Sequence, residues 1–294
     1  MTHPLAAGRE NLLGKFRSYM LKEQHVKYMT AFIDSHNLFP TVDIKGGICY
    51  FLVDIKYKGN CHYTLINNKS KEEHDLALGN FDIMIRYPKL APIVKHVIDE
   101  SNKMNLGNMS NLISNDTPFG IPSNPHSSKK NPFDVSSSRN EEFNTPLYIK
   151  NKVREIEYVR RSDIRKNIND IDKIKVLMPG AAGTGQDSMI LGKPWLTQSP
   201  SVCTQTFIYA SFETIDEAKN FMSYYKTKFF RALVSAVKIT QSAANDVYQF
   251  VPAVDFAEKW DDTKLYDLFS IKESDREYIN NLVSDWNDSS TEDD

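Results

Sequence analysis

The sequence of 294 residues is poor in cysteine, with only Cys49, Cys61 and Cys203, which lie far apart. They do not have the spacing of metal ligands and cannot form an even set of disulfides. No apolar run approaches the length that crosses a bilayer, and residues 1–9 lack the long apolar core of a signal peptide. We therefore expect a cytoplasmic protein without a membrane span.

Local signatures of catalysis are also missing. His36 and His62 have no cysteine or carboxylate cluster at metal-ligand spacing, and no Ser/His/Asp arrangement is recognisable. Residues 42–45 and 53–56 repeat the string Val-Asp-Ile-Lys, but a nuclease metal site needs a further acidic ligand on an adjacent strand. The sequence thus offers no candidate catalytic, cofactor-binding or metal-binding residue.

A strong net charge is absent too, since 36 basic and 38 acidic side chains give −2. The distribution is uneven: residues 255–294 carry 13 acidic and 4 basic side chains, which leaves +7 on residues 1–254. A basic body with an acidic end is compatible with nucleic-acid binding, because only the contact face needs positive potential. A solvated surface with an acidic solubilising end explains the pattern equally well.

The N-terminal quarter has the pattern of the end of an α/β domain. Apolar residues at helical spacing predict an amphipathic helix over residues 11–23. The uninterrupted apolar run Ile48–Val53 predicts a strand covered on both faces, paired antiparallel with residues 26–33. The Gly46-Gly47 joint before it permits a bend or a close backbone approach. Residues 62–66 predict a third strand.

The middle of the chain alternates between polar segments and short apolar runs. Residues 67–74 are polar and predict a connector, and residues 88–103 predict a helix that joins two domains. Residues 121–146 combine four prolines with many serines and asparagines, which predicts a long surface loop or a disordered insertion without a core. Ser162 is expected to cap a helix over residues 163–172. Strands are predicted at residues 147–149, 156–159, 173–178, 195–196 and 204–209.

The clearest helix signal begins at Thr214, which forms a capping-box pattern with Glu217. Apolar residues continue at helical spacing as far as Ala236. Between Lys219 and Asn245 there are basic residues but no acidic ones, which suits phosphate contacts. Without further information, a solvated helix face is the commoner outcome for such a run. The aromatic residues expected in the core rather than on a surface are Tyr224, Tyr225, Phe229 and Phe230.

Six strings, in order along nearly the whole chain, resemble the C-terminal part of adenine-specific DNA methyltransferases from type II and IIG restriction–modification systems. They are FPTVDIKGGICYFL at 39–52, TPFG at 117–120, YVRRSDI at 158–164, LGKP at 191–194, KTKFFR at 226–231 and YQFVP at 248–252. The resemblance implies an α/β to α+β fold. Residues 1–75 would end a Rossmann-type methyltransferase domain, 76–103 would form a connecting helix, 104–254 a DNA target-recognition domain, and 255–294 a helical segment with an acidic tail.

Two motifs of that family are absent from the sequence. A Rossmann-type cofactor site needs a glycine turn such as F-x-G-x-G or G-x-G-x-x-G, and neither occurs. The adenine-binding motif N-P-P-Y or N-P-P-F is also missing, because Asn131-Pro132-Phe133 lacks the second proline. The resemblance therefore implies a double-stranded DNA recognition subunit or fragment, with S-adenosylmethionine on a separate catalytic chain or a missing domain. A stand-alone DNA-binding remnant and a protein-interaction module are the alternatives.

The resemblance also implies which residues contact DNA. The loop at 180–186 could bring backbone N–H groups to a phosphate, although a plain turn is the alternative. Arg160 and Arg161 could reach guanine edges or phosphates, and we expect one of them to pair with a nearby acid. The full predicted set is Thr117, Phe119, Arg160, Arg161, Ser162, Gly183, Thr184, Gly185, Gln186, Lys193, Thr204, Lys226, Lys228, Arg231, Lys238, Thr240 and Gln241.

Overall fold

The computed structural model of the protein describes residues 12–42, 44, 46–67, 70–126, 133–150, 153–182 and 188–287. Within these ranges the chain is a mixed α/β protein. Its helices are α1 (Leu12–Glu23), α2 (Leu90–Lys103), α3 (Ile215–Lys226), α4 (Lys228–Ser235), α5 (Asp262–Leu268) and α6 (Glu273–Leu282). Its strands are β1 (Val26–Phe32), β2 (Ile48–Val53), β3 (Cys61–Asn67), β4 (Ser70–Leu76), β5 (Val135–Ser136), β6 (Thr145–Lys150), β7 (Arg154–Val159), β8 (Ile174–Pro179), β9 (Trp195–Leu196), β10 (Val202–Cys203) and β11 (Phe207–Phe212).

The first sheet joins the four N-terminal strands in the order β2-β1-β3-β4. β1 pairs antiparallel with β2 and parallel with β3, so the predicted strand pair and the third strand are confirmed. The turn before β2 requires glycine at position 47, where φ is 74° and a Cβ atom would lie 2.2 Å from the Phe32 carbonyl oxygen. Only glycine accommodates both constraints.

Two predictions about this sheet are wrong. Residues 70–76 form β4, antiparallel to β3, rather than a polar connector. A charged strand is tolerated at this sheet edge because its side chains face water while its backbone joins the ladder. β2 is not covered on both faces: Cys49 is buried, whereas Tyr50 and Leu52 are 59% and 55% exposed.

The second sheet has the order β10-β6-β7-β5 and the third has the order β11-β8-β9. Their shared core includes Ile121 and Phe133, which pack with Leu147 and Val159. The expectation that residues 121–146 pack no core is therefore wrong for these two side chains, because isolated apolar residues anchor an otherwise polar segment. Residues 127–132, including Asn131 and Pro132, lie outside the described part of the chain.

Helices α2 to α6 pack around the largest core. α2 contributes Val94 and Val97 to the same cluster as Phe229 of α4 and Ile279 of α6. The assignment of α2 as a connector between two domains remains a prediction. The four aromatic residues expected in the core, Tyr224, Tyr225, Phe229 and Phe230, are all fully buried, which confirms that prediction.

The capping box at the start of α3 is confirmed, since Thr214 Oγ1 accepts from the Glu217 N–H and the Glu217 carboxylate accepts from the Thr214 N–H. The prediction of one continuous helix as far as Ala236 is wrong, because the helix is interrupted at Thr227, where ψ is 152°. Thr227 then caps α4, with its Oγ1 accepting from the Phe230 N–H at 3.1 Å. Apolar spacing alone does not reveal such a break.

The helix predicted over residues 163–172 is also wrong. Two short 3-10 turns, Arg161–Asp163 and Ile168–Asp170, take its place, and the Ser162 hydroxyl donates to the Asp163 carboxylate. Asn167 adopts a φ of 49°, and its side-chain amide donates to the Pro118 carbonyl at 2.9 Å. Tertiary contacts of this kind override local helix propensity.

Every helix in the described ranges is too short or too polar to cross a membrane.

Candidate nucleic-acid interface

The candidate interface lies at the end of the third sheet where β8 finishes and β11 starts. Pro179 of β8 lies opposite Phe207 of β11. The glycine loop leaves the sheet here, and the Gly180 N–H donates to the Thr206 carbonyl at 2.8 Å. The predicted contact residues Gly183, Thr184, Gly185 and Gln186 lie outside the described residues, whereas the loop's two flanks, residues 180–182 and 188–189, are placed.

The first loop flank joins the segment that follows α4. The Ala182 N–H donates to the Gln241 carbonyl, and the Lys238 ammonium donates to the Ala182 carbonyl at 2.8 Å. The structure therefore brings together two segments that the sequence analysis predicted separately. Gln241 is exposed and Thr240 half-buried, so both side chains can reach a ligand. Lys238 is buried and holds the first loop flank through Ala182, and its direct contact with phosphate stays a prediction.

Thr117 reaches the same end of the sheet through Gln205. The Thr117 hydroxyl donates to the Gln205 side-chain oxygen at 3.4 Å, and the Gln205 N–H donates to the Ile121 carbonyl. Gln205 is exposed and was not among the predicted contact residues, because a lone polar residue before a strand has no distinctive sequence pattern. Thr204 is fully buried, with its hydroxyl 2.7 Å from that of Thr206, and its role as a DNA contact stays a prediction.

The second loop flank lies beside three basic residues, Lys226, Lys228 and Arg231, which we call the basic cluster. The Arg231 guanidinium donates to the Met189 carbonyl at 3.3 Å. The Ser188 carbonyl accepts from the Ser284 N–H at 3.1 Å, so residues near the C-terminus meet the loop at the same place. One described flank of the glycine loop thus contacts the Lys238–Gln241 segment, and the other contacts Arg231 of the basic cluster.

The basic cluster is covered by other residues of the chain, and its contact with phosphate stays a prediction. Arg231 is only 1% exposed, and its Nε donates to the carbonyls of Lys226 and Thr227. The Lys228 ammonium lies 2.8 Å from the Asp285 carboxylate, and this hydrogen bond lowers the pKa of Asp285. The side chains of Lys226 and Arg231 lie over the Trp286 ring at 5.7 and 5.4 Å.

The two predicted arginines lie at the opposite end of β8. Arg161 pairs with Asp172, which precedes Ile174, and Arg160 pairs with Asp134 and Glu142. The rise of a six-residue strand separates them from the glycine loop by about 20 Å. Both arginines are ion-paired, whereas we expected one. The hydrogen bond from Arg161 lowers the pKa of Asp172.

Of three further predicted residues, Phe119 and Ser162 lie away from the loop. Lys193 lies beside it, because the preceding residue, Gly192, packs against Pro179 and Ala182 at the first loop flank. Phe119 is buried in the core and stacks on Tyr209, with ring centroids 5.3 Å apart, so its DNA contact stays a prediction. Ser162 is exposed beside the arginine pair. Lys193 is half-buried, and its carbonyl accepts a hydrogen bond from Arg154.

Acid–base groups of the first sheet make close contacts, and Glu72 pairs with both His74 and Lys89 at 3.3 Å. His62 and Asp75 lie 2.5 Å apart on neighbouring strands, and Tyr28 stacks on the His62 ring at 5.1 Å. Across the described ranges, no three His, Cys, Asp or Glu side chains converge as a metal site requires.

The sequence is similar to that of a curated protein over part of its length. A segment of 60 residues is 42% identical to an uncharacterised adenine-specific methylase of Mycoplasma pneumoniae (strain ATCC 29342 / M129 / Subtype 1), covering 20% of this chain and 14% of that protein. No protein-family profile matches the sequence. Among solved structures, the type IIG restriction endonuclease BpuSI aligns over 92% of this chain and 41% of its own, at 9% identity and a TM-score of 0.36. The chain therefore spans well under half the length of both proteins, and a TM-score this low does not establish a common fold.

Proposed function

We propose that this chain binds duplex DNA as the target-recognition part of an adenine-specific DNA methyltransferase system. The observation that carries the proposal is the convergence of the glycine-loop flanks, the Lys238–Gln241 segment and Gln205 at one end of the third sheet. The similarity of a 60-residue segment to an adenine-specific methylase supports the choice of this enzyme family.

The chemistry of this surface suits base reading more than bulk charge attraction. Gln205 and Gln241 are exposed amides that can donate and accept together, the pattern that recognises adenine in the major groove. Thr117 adds a hydroxyl beside Gln205. Each good bidentate contact of this kind discriminates against a wrong base by about 1–3 kcal/mol. A domain that holds the duplex in this way lets a base be flipped for methylation.

In this proposal the methyl-transfer chemistry belongs to a separate catalytic chain that binds S-adenosylmethionine. The exposed side of the first sheet supports such a partner, because Tyr28, Tyr50 and Leu52 present apolar surface next to a parallel strand pair. Parallel pairs are usually covered on both faces by an α/β domain. We expect calorimetry to detect no S-adenosylmethionine binding by the isolated chain, and tight binding would contradict this division of labour.

The proposal is tested by selection from random DNA duplexes with the purified chain. We expect enrichment of a defined sequence, and we expect the variants Gln205→Ala and Gln241→Ala each to relax the preference at one position by about 1–3 kcal/mol. Gln198→Ala is the matched control, since Gln198 is exposed but follows β9, at the far end of β8. Failure to enrich any sequence, or equal preferences in all three variants, would contradict the proposal.

A further inference from the structure

The last four described residues, 284–287, form a segment that we call the C-terminal strap. Helix α6 ends at Leu282, and Val283 is the last fully buried side chain of the main core. Beyond it the chain continues across the basic cluster instead of leaving the surface. The Ser284 N–H fixes the start of the strap to the Ser188 carbonyl at the second loop flank.

Two strap side chains contact the basic cluster in different ways. The Asp285 carboxylate approaches the Lys228 ammonium at 2.8 Å, and Lys228 also donates to the Asn280 carbonyl. The Trp286 indole lies under the cationic groups of Lys226 and Arg231, at 5.7 and 5.4 Å. One residue therefore presents an anion and the next a flat aromatic ring, separated by one backbone step.

An anion beside a flat aromatic ring is also what one nucleotide presents to a protein. Phosphates bind lysine ammonium groups, and bases stack on guanidinium planes or take part in cation–π contacts. Proteins that bind single strands or flipped bases combine these two contacts. The strap occupies both positions with residues of this chain.

We propose that the basic cluster is a nucleotide-binding subsite of the DNA interface. In the free protein the C-terminal strap occupies this subsite by mimicking a nucleotide, and DNA displaces the strap. Asp285 stands in the position of a phosphate at Lys228, and Trp286 stands in the position of a base over Lys226 and Arg231. This inference rests on the proposed function, because it extends the same interface across the second loop flank. It also accounts for basic residues that the sequence places in a phosphate-binding pattern and the structure covers.

The ion pair of the strap is suited to displacement because it lies at the surface, whereas Trp286 is half-buried and packs edge-on against Tyr225. The Asp285 side chain is 94% exposed, and exposed ion pairs contribute only about 0–1 kcal/mol. The tether nevertheless gives the strap an effective concentration on the order of millimolar. The expected inhibition is therefore moderate and depends on salt.

The test compares the intact chain with the double variant Asp285→Ala/Trp286→Ala on a duplex of about two helical turns. With Lys226 and Lys228 released, we expect about tenfold tighter binding at low salt and a steeper salt dependence, by about one to two units of slope. Adding Lys228→Ala to the double variant should make the salt dependence shallower again, by about one unit of slope. Asp267→Ala is the control for removing one acidic side chain, since Asp267 pairs with Arg276, away from the cluster.

Each outcome separates the two proposals. If the intact chain binds DNA and the double variant binds with the same affinity and slope, the strap inference is overturned while the proposed function stands. If neither binds DNA, the proposed function itself fails. If the double variant unfolds, Asp285→Asn is measured instead, because it keeps the indole and removes only the anion. An unchanged salt slope for that variant would also overturn the inference.

Discussion

The ammonium group of Lys238 donates a hydrogen bond to the carbonyl oxygen of Ala182 at 2.8 Å. This contact ties the glycine loop after β8 to the segment after α4, and the Ala182 N–H reinforces it by donating to Gln241. The two segments are more than 50 positions apart in the sequence, yet together they build one end of the candidate interface. The first flank of the loop is therefore held by a buried lysine.

Replacing Lys238 by Met tests this dependence. Loss of the hydrogen bond should free the first loop flank, so amide exchange at Ala182 should accelerate and DNA sequence preference should weaken. Hydrogen-exchange mass spectrometry and duplex selection measure the two effects. Lys219→Met serves as the control, because Lys219 is exposed on α3. Unchanged exchange at Ala182 in Lys238→Met would show that the loop is held by other contacts.

Lys175 makes the stability of the protein depend on pH in a defined direction. Its ammonium is fully buried and donates to Ile171, Lys173 and Ser201, and burial lowers its pKa to about 8 from an ordinary value of 10.5. Between these values the unfolded chain binds more protons than the folded chain, so the free energy of unfolding rises with pH. The rise is on the order of 3 kcal/mol when complete.

Urea unfolding of the wild type and of Lys175→Met, from about pH 7 to pH 10, measures this contribution. The free energy of unfolding of the wild type, relative to that of Lys175→Met, should increase as the pH rises through the pKa of about 8. A constant difference would show that Lys175 titrates normally in the folded protein.

Thr227 divides α3 from α4 and caps the second helix. Its hydroxyl accepts from the Phe230 N–H at 3.1 Å and donates to the Tyr224 carbonyl at 2.7 Å. Thr227→Val preserves the shape but removes both bonds, so the free energy of unfolding should fall by about 0.5–2 kcal/mol. Thr263→Val is the matched control and should change stability far less, because Thr263 is exposed on α5. Equal losses in the two variants would contradict the capping role.

Substitution of Phe119 distinguishes a structural role of this residue from a role in contacting DNA. Because its ring is buried against Tyr209, Phe119→Ala should lower the free energy of unfolding by about 3–5 kcal/mol. Denaturant unfolding measures the loss, and Phe119→Leu should recover much of it. A stable Phe119→Ala protein with selectively weakened DNA binding would instead support the original prediction of a contact residue.

The sequence predicted the elements whose signals are local. The apolar run at Ile48–Val53, the glycine at position 47 and the capping box at Thr214 each specify a structure within a few residues, and each is observed. β4 and the turns around Asn167 were mispredicted, because backbone pairing with β3 and the contact with Pro118 come from distant residues. Local composition carries no record of such partners.

The candidate site was predictable in part for the same reason. Residue type and spacing singled out the glycine loop, Gln241 and the basic cluster, but they did not show that Lys238 points inward or that Trp286 covers Arg231. Gln205 was missed because a lone polar residue before a strand has no distinctive pattern. Burial and ion pairing, which decide whether a basic residue can meet a phosphate, follow from tertiary structure.

The central claim, that this chain reads duplex DNA, is tested most directly by the affinity of the intact chain for DNA as a function of salt. We expect a site enriched by selection to bind at least about a thousandfold more tightly than random duplex at physiological salt. The logarithm of the affinity should fall linearly with the logarithm of the salt concentration. Equal affinity for selected and random duplexes, or binding that does not change with salt, would contradict the claim.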